Sequence, residues 1–212
     1  MGGGGFASLF FNFSRLVVKK YIDKNHYEIR NDNYLNMNSI LKYDLIISSM
    51  VLEHLNEDDL NKYFSKSLEL LSDNGVLISF VPAWMDYWGI EDEIAGHFKR
   101  YTFNCFENIA TQMSYSIIKC DGLTFPISNL LFPVSNYLVK RAESSKLKLS
   151  KQEQTVLSSN RKILMKTDFP SIFNLLLNEF TMYPFHLLQK LFSKNKKSMI
   201  IYCEMKKALH NK

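Results

Sequence analysis

The sequence predicts an α/β fold built on a parallel sheet, and three observations carry that prediction. The stretch from Lys42 to Pro82, KYDLIISSMVLEHLNEDDLNKYFSKSLELLSDNGVLISFVP, reads as strand, loop, helix, turn, strand, and a unit of that size needs a right-handed parallel crossover. Both strand runs are nearly continuous apolar stretches, the pattern of strands covered on both faces. A chain of 212 residues with 46% hydrophobic and 14% aromatic content can form a sizeable core, in one domain with an appendage.

Taken in order, Met1 to Gly5 sets four consecutive glycines before Phe6. This reads as a glycine-rich turn opening a helix over Phe6 to Val18, or as a linker-like start. Val17 to Asp23 holds a short strand ending in an acid, or else Asp23 sits in a solvated turn. Tyr27 to Arg30 alternates like a strand, and Asn31-Asp32-Asn33 follows. Tyr43 to Ser48 is the first strong strand. Ser48, Ser49 and Met50 lie at its C-terminal end, where open parallel sheets bind ligands. Asn56 is the N-cap of a helix with Glu57, Asp58 and Asp59 in its first turn, and Leu60, Phe64, Leu68 and Leu71 recur at helical spacing. Ser72-Asp73-Asn74-Gly75 is expected to end that helix in the left-handed conformation that Asn and Gly accept, before a strand over Val76 to Val81.

Glu53-His54 is either a surface capping pair or part of a site. An imidazole near its ordinary pKa takes a proton from a hydroxyl nucleophile, so His54 is a candidate base. His97, followed by Lys99, Arg100 and Tyr101, is the second candidate, for proton transfer or for holding an anionic group. Ala83 to Gly89 is an aromatic loop at the edge where loops cover substrate, so Trp84 and Trp88 join Arg100 and Tyr101 as substrate-side candidates; core packing is the alternative for the two Trp. Thr102 caps a helix over Phe103 to Met113, and Ser116 to Cys120 is a strand. Leu123 to Val139 is apolar but broken by Pro126 and Pro133, which excludes one straight helix. Residues 141 to 168 read as a polar helix, Phe169 to Phe192 as an aromatic, Leu-rich segment interrupted by Pro184, and Ser198 to Met205 as a final strand.

Three blocks in sequence order, YDLIISSMVLEHL, LLSDNGVLISFVP and the GHFKRYT of Gly96 to Thr102, resemble the second half of a class I S-adenosylmethionine-dependent methyltransferase, over roughly Gly2 to Asp121. The resemblance implies a Rossmann-like, mostly parallel sheet closed by a last antiparallel strand, with a helical insertion before it. It implies S-adenosylmethionine as cofactor. Gly3 and Gly5 would be the last two glycines of the cofactor loop, Asp23 would bind the ribose hydroxyls, Asp32 would face the adenine, and Ser48, Ser49 and Met50 would border the cofactor. Met1 stands where the loop's first glycine belongs, so the first strand and its terminal acid are expected to be missing. The implied reaction is in-line attack on the sulfonium methyl, which needs positioning more than a nucleophile triad or a metal. A truncated, non-catalytic subunit or fragment that binds no cofactor is the other reading. The expected division is a core over 1–122, an apolar and basic helical insertion over 123–197, and the last strand and tail over 198–212.

The net charge of +5 is unevenly placed: residues 1–139 carry 11 Lys or Arg against 16 Asp or Glu, and residues 140–212 carry 15 against 5. A basic end predicts an anionic partner. The apolar Phe169 to Phe192 segment beside Lys190, Lys194, Lys196 and Lys197 is what an interfacial helix offers to a lipid surface; ordinary solvated lysines on a packed insertion are the alternative. The acceptor expected on these grounds is a small or lipid-like molecule, with nucleic acid ranked last because no recognition motif is present. Cys105, Cys120 and Cys203 are odd in number and have no paired spacing, against both a disulfide framework and a zinc site. With no signal peptide and no apolar run of spanning length, a cytoplasmic protein with membrane association through its basic end is expected.

Overall fold

A computed structural model of the chain describes residues 33–38, 40–143 and 178–208. The expected helix over Phe6 to Val18, the strands before Asp32 and most of the polar helix after residue 141 lie outside them. The described residues form a four-stranded sheet in the order β1-β2-β4-β3, from β1 (Tyr43–Ser49), β2 (Leu71–Pro82), β3 (Tyr115–Leu123) and β4 (Ile200–Lys207). β1 and β2 are parallel, and β4 runs antiparallel between β2 and β3. The last strand is therefore antiparallel, as expected, and inserted within the sheet.

Helix α1 (Glu57–Leu70) makes the β1–β2 crossover. The Asn56 side chain accepts from the Asp59 amide at 2.9 Å, satisfying one of the orphan donors at the helix start. Its inner face, Leu60, Tyr63 and Phe64, packs with Leu77 and Met205 in one core with Phe106 and Ile201. The helix ends at Leu70 on an extended Leu71, without the left-handed glycine expected at Gly75. Instead β2 advances from Leu71 to Val76 while β1 advances only from Tyr43 to Leu45. Gly75 sits in that excess, where a Cβ would lie 2.7 Å from the Tyr43 carbonyl oxygen. Close approach, not a positive φ, is what requires glycine there.

β1 is less covered than its sequence predicts. Leu45 and Ile47 are 50% and 60% exposed, since among the described residues β1 pairs only with β2.

Beyond β2 come the short α2 (Ile90–Ala95), ended by Gly96 in the left-handed region at φ 74°, and α3 (Phe103–Gln112), capped by Thr102 as expected. The two remaining helices are α4 (Ile127–Glu143) and α5 (Glu179–Leu191). Of the three prolines expected to break these segments, Pro126 immediately precedes α4, while Pro133 lies inside α4 and Pro184 inside α5; each of the latter two removes one i−4 hydrogen bond without ending its helix. α4 covers the aromatic loop after β2. Phe132 meets Tyr87 edge to face at 5.8 Å, Asn129 donates to the Tyr87 hydroxyl at 2.9 Å, and Asn136 fills the space where Gly89 would carry a Cβ. Lys194, just past α5, ties that end of the chain to the sheet through the Cys120 carbonyl and the Asp121 carboxylate. It is thus engaged with the protein and not simply presented outward with Lys190, Lys196 and Lys197.

Candidate active site

Three non-glycine residues with positive φ stand where strands end, Thr124 (φ 76°) after β3 and two at the neighbouring ends of β1 and β2. Met50 (φ 52°) follows β1 and Trp84 (φ 59°) lies just beyond β2. Such conformations cost on the order of 1–3 kcal/mol and concentrate at functional sites. Ser48 is buried, and Ser49 and Met50 are half-buried beside the end of β2, with the Met50 amide donating to the Phe80 carbonyl at 2.9 Å. All three lie at the C-terminal end of β1.

The chain then turns through a single 3-10 turn, Leu52–His54, and the GHFKRYT segment runs alongside it. The Phe98 amide donates to the Glu53 carbonyl at 2.7 Å, and Tyr101 pairs with the end of β2 through its amide to the Pro82 carbonyl and its carbonyl from the Trp84 amide, both 2.9 Å. Two blocks more than forty residues apart in sequence thereby put Glu53, His54 and His97 together. The imidazoles of His54 and His97 stack edge to face with centroids 4.6 Å apart. The carboxylate of Glu53 is 1% exposed and lies 4.0 Å from His97 Nε2. Among the described residues neither of its oxygens meets a hydrogen-bond donor.

Asp92 organises the other side of His97. Its Oδ1 is 2.8 Å from His97 Nδ1, its carbonyl accepts from the His97 amide at 3.0 Å, and its Oδ2 accepts from the Gly89 amide at 2.8 Å. Arg100 grips the same carboxylate in a two-pronged pair, Nε to Oδ1 and Nη2 to Oδ2, both at 2.9 Å, with Nη1 donating to the Ala83 carbonyl at 3.2 Å. An acceptor carboxylate on Nδ1 fixes the proton there and leaves Nε2, which faces Glu53, as the basic nitrogen.

The electrostatics follow from burial. Desolvation, helped by Asp92 nearby, pushes the Glu53 carboxyl up to about 8. Burial and the adjacent His97 push His54 down to about 3. His54 therefore stays neutral at pH 7 and is a weak base, contrary to the expectation of an imidazole near its ordinary pKa. Burial pushes the Asp92 carboxyl up too, but the His97 bond and the Arg100 pair outweigh it and hold Asp92 below the usual carboxylate range.

The substrate-side candidates divide. Tyr101 is fully buried and donates its hydroxyl to the Leu52 carbonyl at 2.9 Å, so it is a core residue that props up the Glu53-His54 turn. The Arg100 guanidinium is spent on Asp92 and Ala83, which leaves it to position the cluster and not to grip an anion. Trp84 packs edge to face on Phe103 at 5.6 Å against the core, and Trp88 donates its indole N–H to Glu93. Gly3, Gly5, Asp23 and Asp32 lie outside the described residues. Sequence reasoning missed Asp92, which sits in the acidic run Glu91-Asp92-Glu93, and it missed the metal-type grouping because Glu53, His54 and His97 show no paired ligand spacing.

No family model matches the sequence, and no curated protein matches it at a significant level. Solved structures do match. The 4+2 cyclase SpnF aligns over 94% of this chain and 63% of its own, at 7% identity and a TM-score of 0.50. StiE O-MT aligns over 94% and 56%, at 14% identity and a TM-score of 0.43. An S-adenosylmethionine-dependent methyltransferase from Clostridium acetobutylicum aligns over 50% and 60%, at 14% identity and a TM-score of 0.38. The chain spans about three-fifths of the length of these structures. The likeness is one of fold: the chain has a Rossmann-like α/β fold, a mostly parallel sheet with a single antiparallel strand, in common with SpnF.

Proposed function

We propose that the chain transfers the methyl group of S-adenosylmethionine to a small, lipophilic or lipid-linked acceptor held beside Glu53, His54 and His97. The observation that carries this reading is the juxtaposition at one sheet edge: the strained Met50 turn at the end of β1 leads within three residues into a buried cluster of titratable groups. Ser48, Ser49 and Met50 border the cofactor, and Gly3, Gly5, Asp23 and Asp32 complete its site. The acceptor atom attacks the methyl carbon in line. Its new bond to carbon forms as the sulfur–carbon bond breaks, and a hydroxyl acceptor loses its proton. His97 Nε2, its tautomer set by Asp92, is the nitrogen aimed at that chemistry.

A lipophilic acceptor is supported by the placement of α4 over the Trp84–Trp88 loop and by the exposed apolar side chains of α4 and α5 beside a basic chain end. The same surfaces support contact with an anionic lipid surface; among the described residues no helix is long and apolar enough to cross a membrane.

Calorimetric titration of the full chain with S-adenosylmethionine, beside a Gly3→Val, Gly5→Val variant, tests the reading. Saturable binding that the variant loses is expected. A folded chain that does not bind overturns it and favours a non-catalytic protein of the same fold.

A further inference from the structure

We propose that the Glu53 carboxylate and the His54 and His97 imidazoles together bind one divalent transition-metal ion, and that this ion ionises the acceptor hydroxyl; the second half rests on the methyl-transfer reading above. Among the described residues these three side chains each offer a ligand atom, all within 4.8 Å of one another.

The first argument is the state of Glu53. A buried carboxylate is ordinarily paired, hydrogen-bonded or bound to metal. Here it is 1% exposed with no donor on either oxygen, and the nearby cation, Arg100, is committed to Asp92. The groups nearest to it are imidazoles, which are transition-metal ligands, and a metal ion would hold the carboxyl in its charged form.

The second argument is independent: the outer shell of a metal site is already built. Metal-bound histidines characteristically give their other ring N–H to a carboxylate or a backbone carbonyl, which fixes tautomer and ring orientation. His97 does so to Asp92, itself clamped by Arg100 and the Gly89 amide, and His54 is hydrogen-bonded to the Gly96 backbone. That support aims His97 Nε2 at Glu53 Oε1 across 4.0 Å. Two ligands of a tetrahedral ion stand about 3.4 Å apart, so binding draws the pair together by roughly half an ångström.

Two imidazoles and one carboxylate suit zinc or iron(II) and leave a position open, the donor count of catalytic sites. An acceptor hydroxyl bound there is acidified by the ion and releases its proton to water. The resulting oxyanion attacks the sulfonium methyl, giving the O-methyl product and S-adenosylhomocysteine. The ion then takes over the task that a histidine base would otherwise perform, and His97 Nε2 becomes a ligand.

The test is titration of the untagged full chain, stripped with chelator, with Zn2+ by calorimetry and with Co2+ by its visible absorption. One ion per chain is expected. Glu53→Gln and His97→Gln should each weaken binding by on the order of 100-fold, and Asp92→Asn by about 10- to 100-fold. His186→Asn, on the exposed α5, should change nothing. Circular dichroism establishes that each variant is folded, and either direct ligand variant suffices if the other is not. No stoichiometric binding, binding unchanged in the folded ligand variants, or binding lost in His186→Asn overturns the site. S-adenosylmethionine binding without metal binding overturns this inference and leaves methyl transfer standing. Metal binding without S-adenosylmethionine binding keeps the site and removes the role given to it.

Discussion

The cluster at the ends of β1 and β2 and the outer faces of α4 and α5 depart from the usual distribution of side chains in opposite directions. In the first, Glu53, Asp92, His97 and Arg100 are polar groups taken out of water. In the second, Leu130, Phe180 and Leu191 are 80%, 90% and 77% exposed. Scattered apolar side chains on a surface are ordinary, but a buried charge or a run of exposed apolar side chains along a helix is not. The buried set is one network in which each member is tolerated because of its neighbours. The exposed set consists of side chains that each do little for the fold. Substitutions should therefore be costly and interdependent in the cluster, and cheap and additive on the helices.

The largest effect expected is that of Arg100→Met. It leaves the Asp92 carboxylate buried with its strongest partner gone, and removing one partner of a buried ion pair costs about 3–5 kcal/mol. Urea unfolding measures it; a loss below about 1 kcal/mol would mean the pair is solvated and the contrast between the regions false. Tyr101→Phe comes next. It removes one of the two hydrogen bonds to the Leu52 carbonyl, which keeps the Leu55 amide at 3.2 Å, a loss of about 0.5–1.5 kcal/mol, and since Leu52 begins the turn carrying Glu53 and His54, the ring proton signals of His54 should shift as well. A destabilised protein with unmoved His54 signals would separate the turn from the site.

How much of this was legible differs between the regions for physical reasons. Local hydrogen bonds show in the sequence. Asn56 and Thr102 cap their helices because a short polar side chain reaches a backbone amide three residues on, and that geometry needs nothing from the rest of the fold. The parallel pairing of β1 with β2 was readable because the apolar runs and the crossover length leave few topologies. The cluster was only half readable. His54 and His97 stood out by residue type, but the burial that depresses His54 and strands Glu53 depends on GHFKRYT lying along a turn forty residues earlier. Asp92 points inward because Gly96 reverses the chain after α2, which its acidic neighbours conceal. Pro133 and Pro184 each lie inside a helix, because one missing hydrogen bond does not end a helix that neighbouring residues sustain, while the segment from Leu123 to Val139 is, as expected, not one helix.

A smaller effect is expected where the two regions join. Lys194→Met removes the link from the end of α5 to Asp121, an exposed lysine on a buried acid, and should cost no more than about 1 kcal/mol. Burial pushes Asp121 up, but Lys194 and Lys119 outweigh it and hold its carboxyl below the usual range. A carboxyl depressed in the folded state adds stability above its ordinary pKa, and that stability is lost as the pH falls through the folded value. The share of the cost of Lys194→Met that runs through Asp121 should accordingly be full at neutral pH and be lost as the carboxyl protonates, leaving the bond to the Cys120 carbonyl; a cost that does not fall in acid would show that the lysine does not act through Asp121.

The smallest effect on the fold is expected from Leu130→Ser, Phe180→Ser and Leu191→Ser combined, because exposed side chains outside any network change stability by about 0.5 kcal/mol or less each. The same triple variant separates the uses to which the apolar faces can be put. Burying one such side chain in an apolar medium is worth about 1.5–3 kcal/mol, so if α4 and α5 meet a lipid surface, losing three should reduce sedimentation with phosphatidylserine-containing vesicles by at least tenfold at unchanged melting temperature. Lys190, Lys196 and Lys197 would add attraction that fades with salt. Vesicle binding equal to that of the unmodified chain would remove the lipid surface from the account. A melting temperature lowered by many degrees would show that these side chains are covered in solution, and the contrast between an interdependent cluster and an indifferent surface would then fail on its second half.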